Sequence, residues 1–80
     1  MKSIIGYVLN ANTMGNTSAI GTANGWGDNI VGFPASFHNA LGLIVQHKIS
    51  DVEFSQVLIW PQHCCYRHYN PEGYWGDWSE

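Results

Sequence analysis

Charged residues are scarce in this chain, and positively charged ones are the scarcest. Of its 80 residues, 11% are Asp, Glu, Lys or Arg; three are Lys or Arg against six Asp or Glu, so the formal net charge is −3. A protein that binds nucleic acid through the phosphate backbone needs a basic stripe on its surface. Three cations cannot form such a stripe, so we expect no direct contact with nucleic acid.

Long apolar runs and spaced cysteines are also missing. No stretch approaches the ~20 apolar residues of a membrane-spanning helix, and the apolar run from Ile4 to Leu9 is too short for a signal peptide. The two cysteines, Cys64 and Cys65, are adjacent, and adjacent Cα atoms lie closer together than the usual disulfide geometry requires. These features predict reduced thiols, a cytoplasmic location and no contact with a membrane.

Hydrophobic residues, by contrast, make up 45% of the chain and aromatic residues 14%. A disordered segment has few apolar residues and many charges, which is the opposite of this composition. Large rings each bury much apolar surface, so a chain this short can still form a core. The sequence therefore predicts one folded domain over residues 1–80.

Strand signals occur at both ends of the chain. Residues 3–9 and 55–60 are rich in β-branched and aromatic side chains, and a second, short strand over 18–23 lies between loops rich in Asn and Gly. The segment 70–73 reads Asn-Pro-Glu-Gly, which is the residue order of a type I turn. It predicts a C-terminal hairpin with arms 64–69 and 74–78.

The middle of the chain has the pattern of an amphipathic helix over residues 35–48. Pro34 suits a first helical turn, and Phe37, Leu41, Ile44 and Lys48 would share one helical face. The expected fold is therefore α+β: a small antiparallel sheet of about four strands, covered by one amphipathic helix.

A metal site is the first chemical hypothesis that the residues suggest. Thiols and imidazoles are ligands for zinc, and His63, Cys64, Cys65 and His68 lie close in sequence. Along a strand, however, side chains alternate between the two faces, so only the pairs His63/Cys65 and Cys64/His68 can act together. We expect no metal and no cofactor, and a zinc-stabilised domain remains a further alternative.

Catalytic constellations are equally weak. A nucleophilic cysteine needs a base and an oxyanion hole, and glycosidase chemistry needs two carboxylates across a cleft. The cysteines lie on a predicted strand arm, and Glu72 and Asp77 lie in or after a predicted turn. We therefore expect no catalytic residues and no enzyme activity.

Aromatic residues are concentrated at the C-terminal end. In a hairpin both faces would carry large rings, whereas a sheet with one covering helix buries only one face, so some rings should be exposed as binding residues. The alternative is cross-strand pairing that only stabilises the hairpin. Together with the loop residue Trp26, the candidate partner-binding residues are Tyr66, Arg67, Tyr69, Glu72, Tyr74, Trp75, Asp77 and Trp78.

These features favour a small non-enzymatic domain that binds a larger protein through an aromatic, mildly acidic surface, matched to a basic surface of the partner. By analogy of size and composition alone, such a domain is typical of inhibitors or adaptors from phages and mobile elements, such as anti-CRISPR proteins. The alternative is a carbohydrate or small-ligand module with Trp and Tyr platforms, and a homodimer is also compatible with the sequence.

Overall fold

The described part of the chain folds into five strands and one turn of 3-10 helix. The structure, a computed structural model, describes residues 2–27 and 31–80, with side chains from residue 6 onward. The elements are β1 (Lys2–Val8), a 3-10 turn (Ala11–Thr13), β2 (Ser18–Asn24), β3 (Leu41–Ser50), β4 (Glu53–Trp60) and β5 (His63–Tyr69).

All five strands form one mixed sheet in the order β1-β2-β3-β4-β5. β1 and β2 run parallel, whereas the pairs β2–β3, β3–β4 and β4–β5 are antiparallel. The expectation of an α+β domain with about four antiparallel strands under a helix is therefore wrong. In the described part of the chain the sheet has no α-helix on it.

The helix predicted over 35–48 is replaced by a loop followed by β3. The loop makes a single turn, in which the Phe37 amide donates to the Pro34 carbonyl, and Asn39 then has a φ of 53°. A residue in this left-handed region ends a right-handed helix. From residue 41 the chain is extended, and the register pairs Ile44 with Leu58 and Val45 with Val57.

One face of the sheet, the inner face, carries the core. It is covered by the connection after β1, by the loop before β3 and by the C-terminal segment; Phe37 from the loop packs edge-on against Trp60, with ring centres 5.0 Å apart. The buried hydrophobic residues are Val8, Ala11, Met14, Ala19, Ala23, Phe37, Ile44, Leu58, Trp60 and Cys65.

A chain of polar side chains crosses the same inner face. Gln46, Gln56 and Arg67 occupy paired positions on β3, β4 and β5 and are all buried. The Gln56 amide donates to the Gln46 side-chain oxygen at 3.0 Å and to the Ala11 carbonyl at 2.6 Å. Since buried polar groups are stable only when they are hydrogen-bonded, this network fixes the 3-10 turn onto the sheet.

The C-terminal segment runs back along β5 as irregular extended chain. The Asn70–Gly73 turn closes with a hydrogen bond from the Gly73 amide to the Asn70 carbonyl. Isolated bridges then join Tyr69 to Trp75 and Tyr66 to Ser79. The predicted second arm over 74–78 thus lies beside β5 but does not form a regular strand.

Candidate functional site

The opposite face of the sheet, which we call the outer face, is apolar and exposed. Its side chains form two rows across the strands, set by the register. One row runs Tyr7, Thr22, Leu43, Ile59 and Cys64, and the other runs Ile20, Val45, Val57 and Tyr66.

Of these nine side chains, five are exposed, and Ile20, Thr22, Val45 and Val57 are half-buried. Leu43 is 44% exposed, Ile59 43%, Tyr66 57% and Tyr7 69%. A single exposed Leu or Ile is ordinary on a protein surface, but a contiguous apolar patch marks an interaction site. The outer face is therefore the first candidate binding surface.

Polar groups bound the outer face at one end. The next row across the strands contains His47, Ser55 and His68. His68 lies 2.9 Å from a Glu53 carboxylate oxygen, and both side chains are partly exposed. The apolar rows thus end at a polar border. Protein interfaces have the same arrangement, with an apolar centre and a polar rim.

Three of the residues predicted to bind a partner lie on the inner face instead. Arg67 is buried, and its guanidinium donates to the side-chain oxygens of Gln56 and Asn12 at 2.8 Å each. Trp75 and Trp78 are half-buried on the same guanidinium. These two rings cover the core, and Arg67 holds them there.

Of the other predicted residues, Tyr69 is half-buried between Phe54 and Trp75, and the rest are accessible without forming one surface. Tyr66 belongs to the outer face. Tyr74 is 66% exposed in the C-terminal segment, and Trp26 is 55% exposed in the loop after β2. Glu72 and Asp77 are exposed in the C-terminal segment.

A cleft of about 560 Å³ lies where the 3-10 turn, the β3–β4 turn and the Asn70–Gly73 turn meet. We call it the turn cleft. Three aromatic rings and two carboxylates line it, from Phe54, Tyr69, Trp75, Asp51 and Glu72. Three residues of the predicted surface, Tyr69, Glu72 and Trp75, are therefore brought together here.

The two cysteines lie on opposite faces of β5. Cys64 is exposed, whereas Cys65 is buried and both are free thiols. Burial, then the nearby Glu80 carboxylate, raises the pKa of the Cys65 thiol. Within residues 2–27 and 31–80, no three His, Cys, Asp or Glu side chains form a group that could hold a metal ion.

Two features of the fold were not predicted from the sequence: the buried glutamines of the inner face and the apolar rows of the outer face. Gln46 and Gln56 each stand at the end of an apolar run, after Val45 and before Val57, and a glutamine in that position carries no signal of burial. The apolar rows of the outer face did leave a signal: Leu43-Ile44-Val45 and Val57-Leu58-Ile59 are uninterrupted apolar runs. Because side chains of a strand alternate, such runs place apolar groups on both faces.

Comparisons with known proteins give no family and no relative: no family model, no curated protein and no solved structure matches this chain. In the described part of the chain, no helix is long and apolar enough to cross a membrane.

Proposed function

We propose that this domain is a non-enzymatic protein-binding module that contacts its partner through the outer face. The observation that carries the proposal is the pair of apolar rows, in which the Tyr7, Leu43, Ile59 and Tyr66 side chains are exposed to solvent. Covering these side chains with an apolar partner surface gains roughly 25 cal/mol for each Å² removed from water.

Tyr66 stands at the edge of this face and is the best candidate for an anchor. It is 57% exposed, while its main chain is held on both sides, by β4 and by Ser79. A ring on a fixed backbone loses little freedom on binding, which is why tyrosine is enriched among the residues that dominate interface energies.

The acidic character of the chain supports a partner with a basic region. The net charge is −3, and the Glu72 and Asp77 side chains are exposed. Charges outside the apolar contact act mainly by steering association. An inhibitor or adaptor that works by occupying a partner's surface needs only this combination of apolar face and steering charge, and the phage-type inhibitor stays a proposal by analogy.

The exposed thiol of Cys64 supports a cytoplasmic site of action, because free exposed thiols persist in reducing compartments. We include this location in the proposal. Labelling of free thiols in freshly lysed cells tests it, since a protein with Cys64 oxidised in the cell would contradict a reducing environment.

Paired variants of exposed apolar residues test the proposal. Leu43→Glu and Ile59→Glu place a charge in the outer face, and Val31→Gln changes a residue of similar exposure (46%) in the covering segments. Proteins captured from a host lysate by wild type and by Val31→Gln, but lost with both face variants, are the expected partners.

Two outcomes contradict the proposal. Capture that is indifferent to Leu43→Glu and Ile59→Glu would exclude the outer face as the contact. A concentration-dependent dimer in analytical ultracentrifugation, lost in the same two variants, would assign the face to a second copy of this chain. Circular dichroism confirms beforehand that each variant is folded.

A further inference from the structure

The turn cleft is separate from the outer face and has the chemistry of a ligand site. Its volume of about 560 Å³ falls within the range of small-molecule sites, about 300–1,000 Å³. Three connections of the fold form its walls, and the rings of Phe54, Tyr69 and Trp75 lie along it.

All charged side chains that line the cleft are negative. Asp51 and Glu72 are the two, and neither Lys, Arg nor His is among the described lining residues. The Asp51 carboxylate lies 3.5 Å from the Lys48 ammonium but is 97% exposed, so water screens this pair. The lining itself therefore carries only carboxylates as charged groups, which favours a cationic ligand over an anionic one, while the Lys48 and Arg67 cations lie close by.

The rings add to this preference. Tyr69 contacts Phe54 and Trp75 edge-on, with ring centres 5.9 and 5.0 Å apart. Aromatic faces attract ammonium and guanidinium groups through their quadrupole, and this fold already uses that attraction, because the Arg67 guanidinium lies over Trp75. Phe54 and Tyr69 have no such cation on them in the described chain.

The amide groups at the cleft are less available for a sugar. The Gln46 amide donates to the carbonyls of Gly15 and Thr17, each at 2.8 Å. The Asn12 side-chain oxygen accepts from Arg67. A neutral sugar is held by hydrogen bonds to many hydroxyls, so the engagement of these amides favours a cation over a carbohydrate.

We propose that the turn cleft binds an organic cation, with an ammonium or guanidinium group against Phe54 and Tyr69 and beside the carboxylates of Glu72 and Asp51. The cation is either a free small molecule or a Lys or Arg side chain of another protein; the chemistry of recognition is the same. The site does not depend on the outer face, so the two proposals fail independently.

Titration with a charged probe and its neutral isostere tests the proposal. Choline and 3,3-dimethylbutan-1-ol have the same shape and differ in charge, and N-acetyl-arginine amide represents a basic side chain. Each is followed by ¹H–¹⁵N NMR at the Trp75 indole, with the exposed Trp26 indole as an internal control. We expect choline to bind with a Kd on the order of 1 mM and the isostere to bind at least about tenfold more weakly.

Charge-neutralising variants locate the site. Glu72→Gln and Phe54→Leu should each weaken choline binding by about threefold, while Glu80→Gln, a carboxylate outside the cleft, should leave it unchanged. Preference for N-acetyl-arginine amide over choline would identify a protein side chain as the ligand. Glucose, titrated in the same way, represents a neutral sugar. Equal binding of the neutral isostere, stronger binding of glucose than of choline, or no shift at the Trp75 indole with any cation would overturn the proposal.

Discussion

The guanidinium carbon of Arg67 lies 3.9 Å from the centre of the Trp75 ring and 4.7 Å from that of Trp78. Arg67 is buried, and the ion pairs of the described residues do not include it. Burial lowers its pKa to about 10, so it stays charged at neutral pH. Two amide oxygens and two rings thus take the place of a carboxylate, and the C-terminal segment is held against the sheet by its tryptophans.

Replacing Arg67 with methionine should therefore destabilise the fold. Arg67→Met keeps an apolar stem but leaves the side-chain oxygens of Gln56 and Asn12 without their donor, and we expect a loss of about 3 kcal/mol in the free energy of unfolding. Urea denaturation followed by circular dichroism measures it. Lys48→Met, which removes an exposed pair, should cost less than about 1 kcal/mol. Equal stability of both variants would show that the guanidinium contributes nothing.

Trp78 should behave as a structural residue before it behaves as a contact residue. Its indole N–H donates to the Gly32 carbonyl at 2.7 Å, and phenylalanine cannot make this bond. We expect Trp78→Phe to lower the free energy of unfolding by about 1–2 kcal/mol. Trp26→Phe, at an exposed indole, is the matched control and should change it little. If Trp78→Phe left the free energy of unfolding unchanged, the indole hydrogen bond would not stabilise the fold and Trp78 would again be a candidate contact residue.

The strand β3 shows why the sequence suggested a helix. Its inner positions are Gly42, Ile44 and Gln46, a glycine, an apolar residue and an amide, while its outer positions include the exposed Leu41 and Leu43. The usual alternation of apolar and polar residues is therefore absent, and the accidental spacing of Leu41, Ile44 and Lys48 resembles a helical face. A strand with apolar side chains on both faces cannot be distinguished from a helix by periodicity alone.

The C-terminal half was more predictable because its signals are local. The Pro after Trp60 and the Asn-Pro-Glu-Gly order at 70–73 mark chain reversals, and the structure turns at both places. Which rings face a partner was not predictable, since it depends on what covers the inner face. That layer is formed by the C-terminal segment, by the loop before β3 and by the segment from Ala11 to Gly15, which is joined to the sheet through Gln46 and Gln56.

The buried glutamine network yields the next prediction. Gln56→Leu removes the donor to the Ala11 carbonyl and the acceptor of the Arg67 Nε–H, so buried polar groups lose their partners. We expect a loss of about 3 kcal/mol in the free energy of unfolding, while Ser55→Ala on the outer face should cost little. Combined with Arg67→Met the losses should be less than additive, because the two residues share one bond. Strict additivity in the double variant would contradict a shared network.

The two cysteines should differ sharply in reactivity. The thiolate is the reactive form of cysteine, and the raised pKa of Cys65 keeps its thiolate fraction low until the pH exceeds the ordinary range of a thiol. With iodoacetamide at pH 8 we expect one label on the folded protein and a second only after unfolding, measured by intact mass. Folded Cys64→Ser should stay almost unlabelled, and Cys65→Ser should label as wild type does. Rapid labelling of folded Cys64→Ser would show that Cys65 is accessible.

Gly42 provides a test in which the helix and the strand predict opposite signs. In a helix interior Gly→Ala stabilises by about 1 kcal/mol. In β3, a Cβ at position 42 would lie 2.7 Å from the Ile59 carbonyl oxygen and 3.2 Å from the Trp60 Cβ. These atoms belong to the neighbouring strand, so the β3–β4 ladder would have to shift.

We therefore expect Gly42→Ala to lower the free energy of unfolding by about 2 kcal/mol, as overpacking of a core does. Gly6→Ala is the matched control, because a Cβ there meets no described atom within 4 Å, and it should leave stability unchanged or raise it by about 0.5 kcal/mol through the unfolded chain. Urea denaturation at pH 7 measures both changes in the free energy of unfolding. If Gly42→Ala were the more stable protein, the close approach of β3 to β4 would be absent and the inner face would have to be covered in another way.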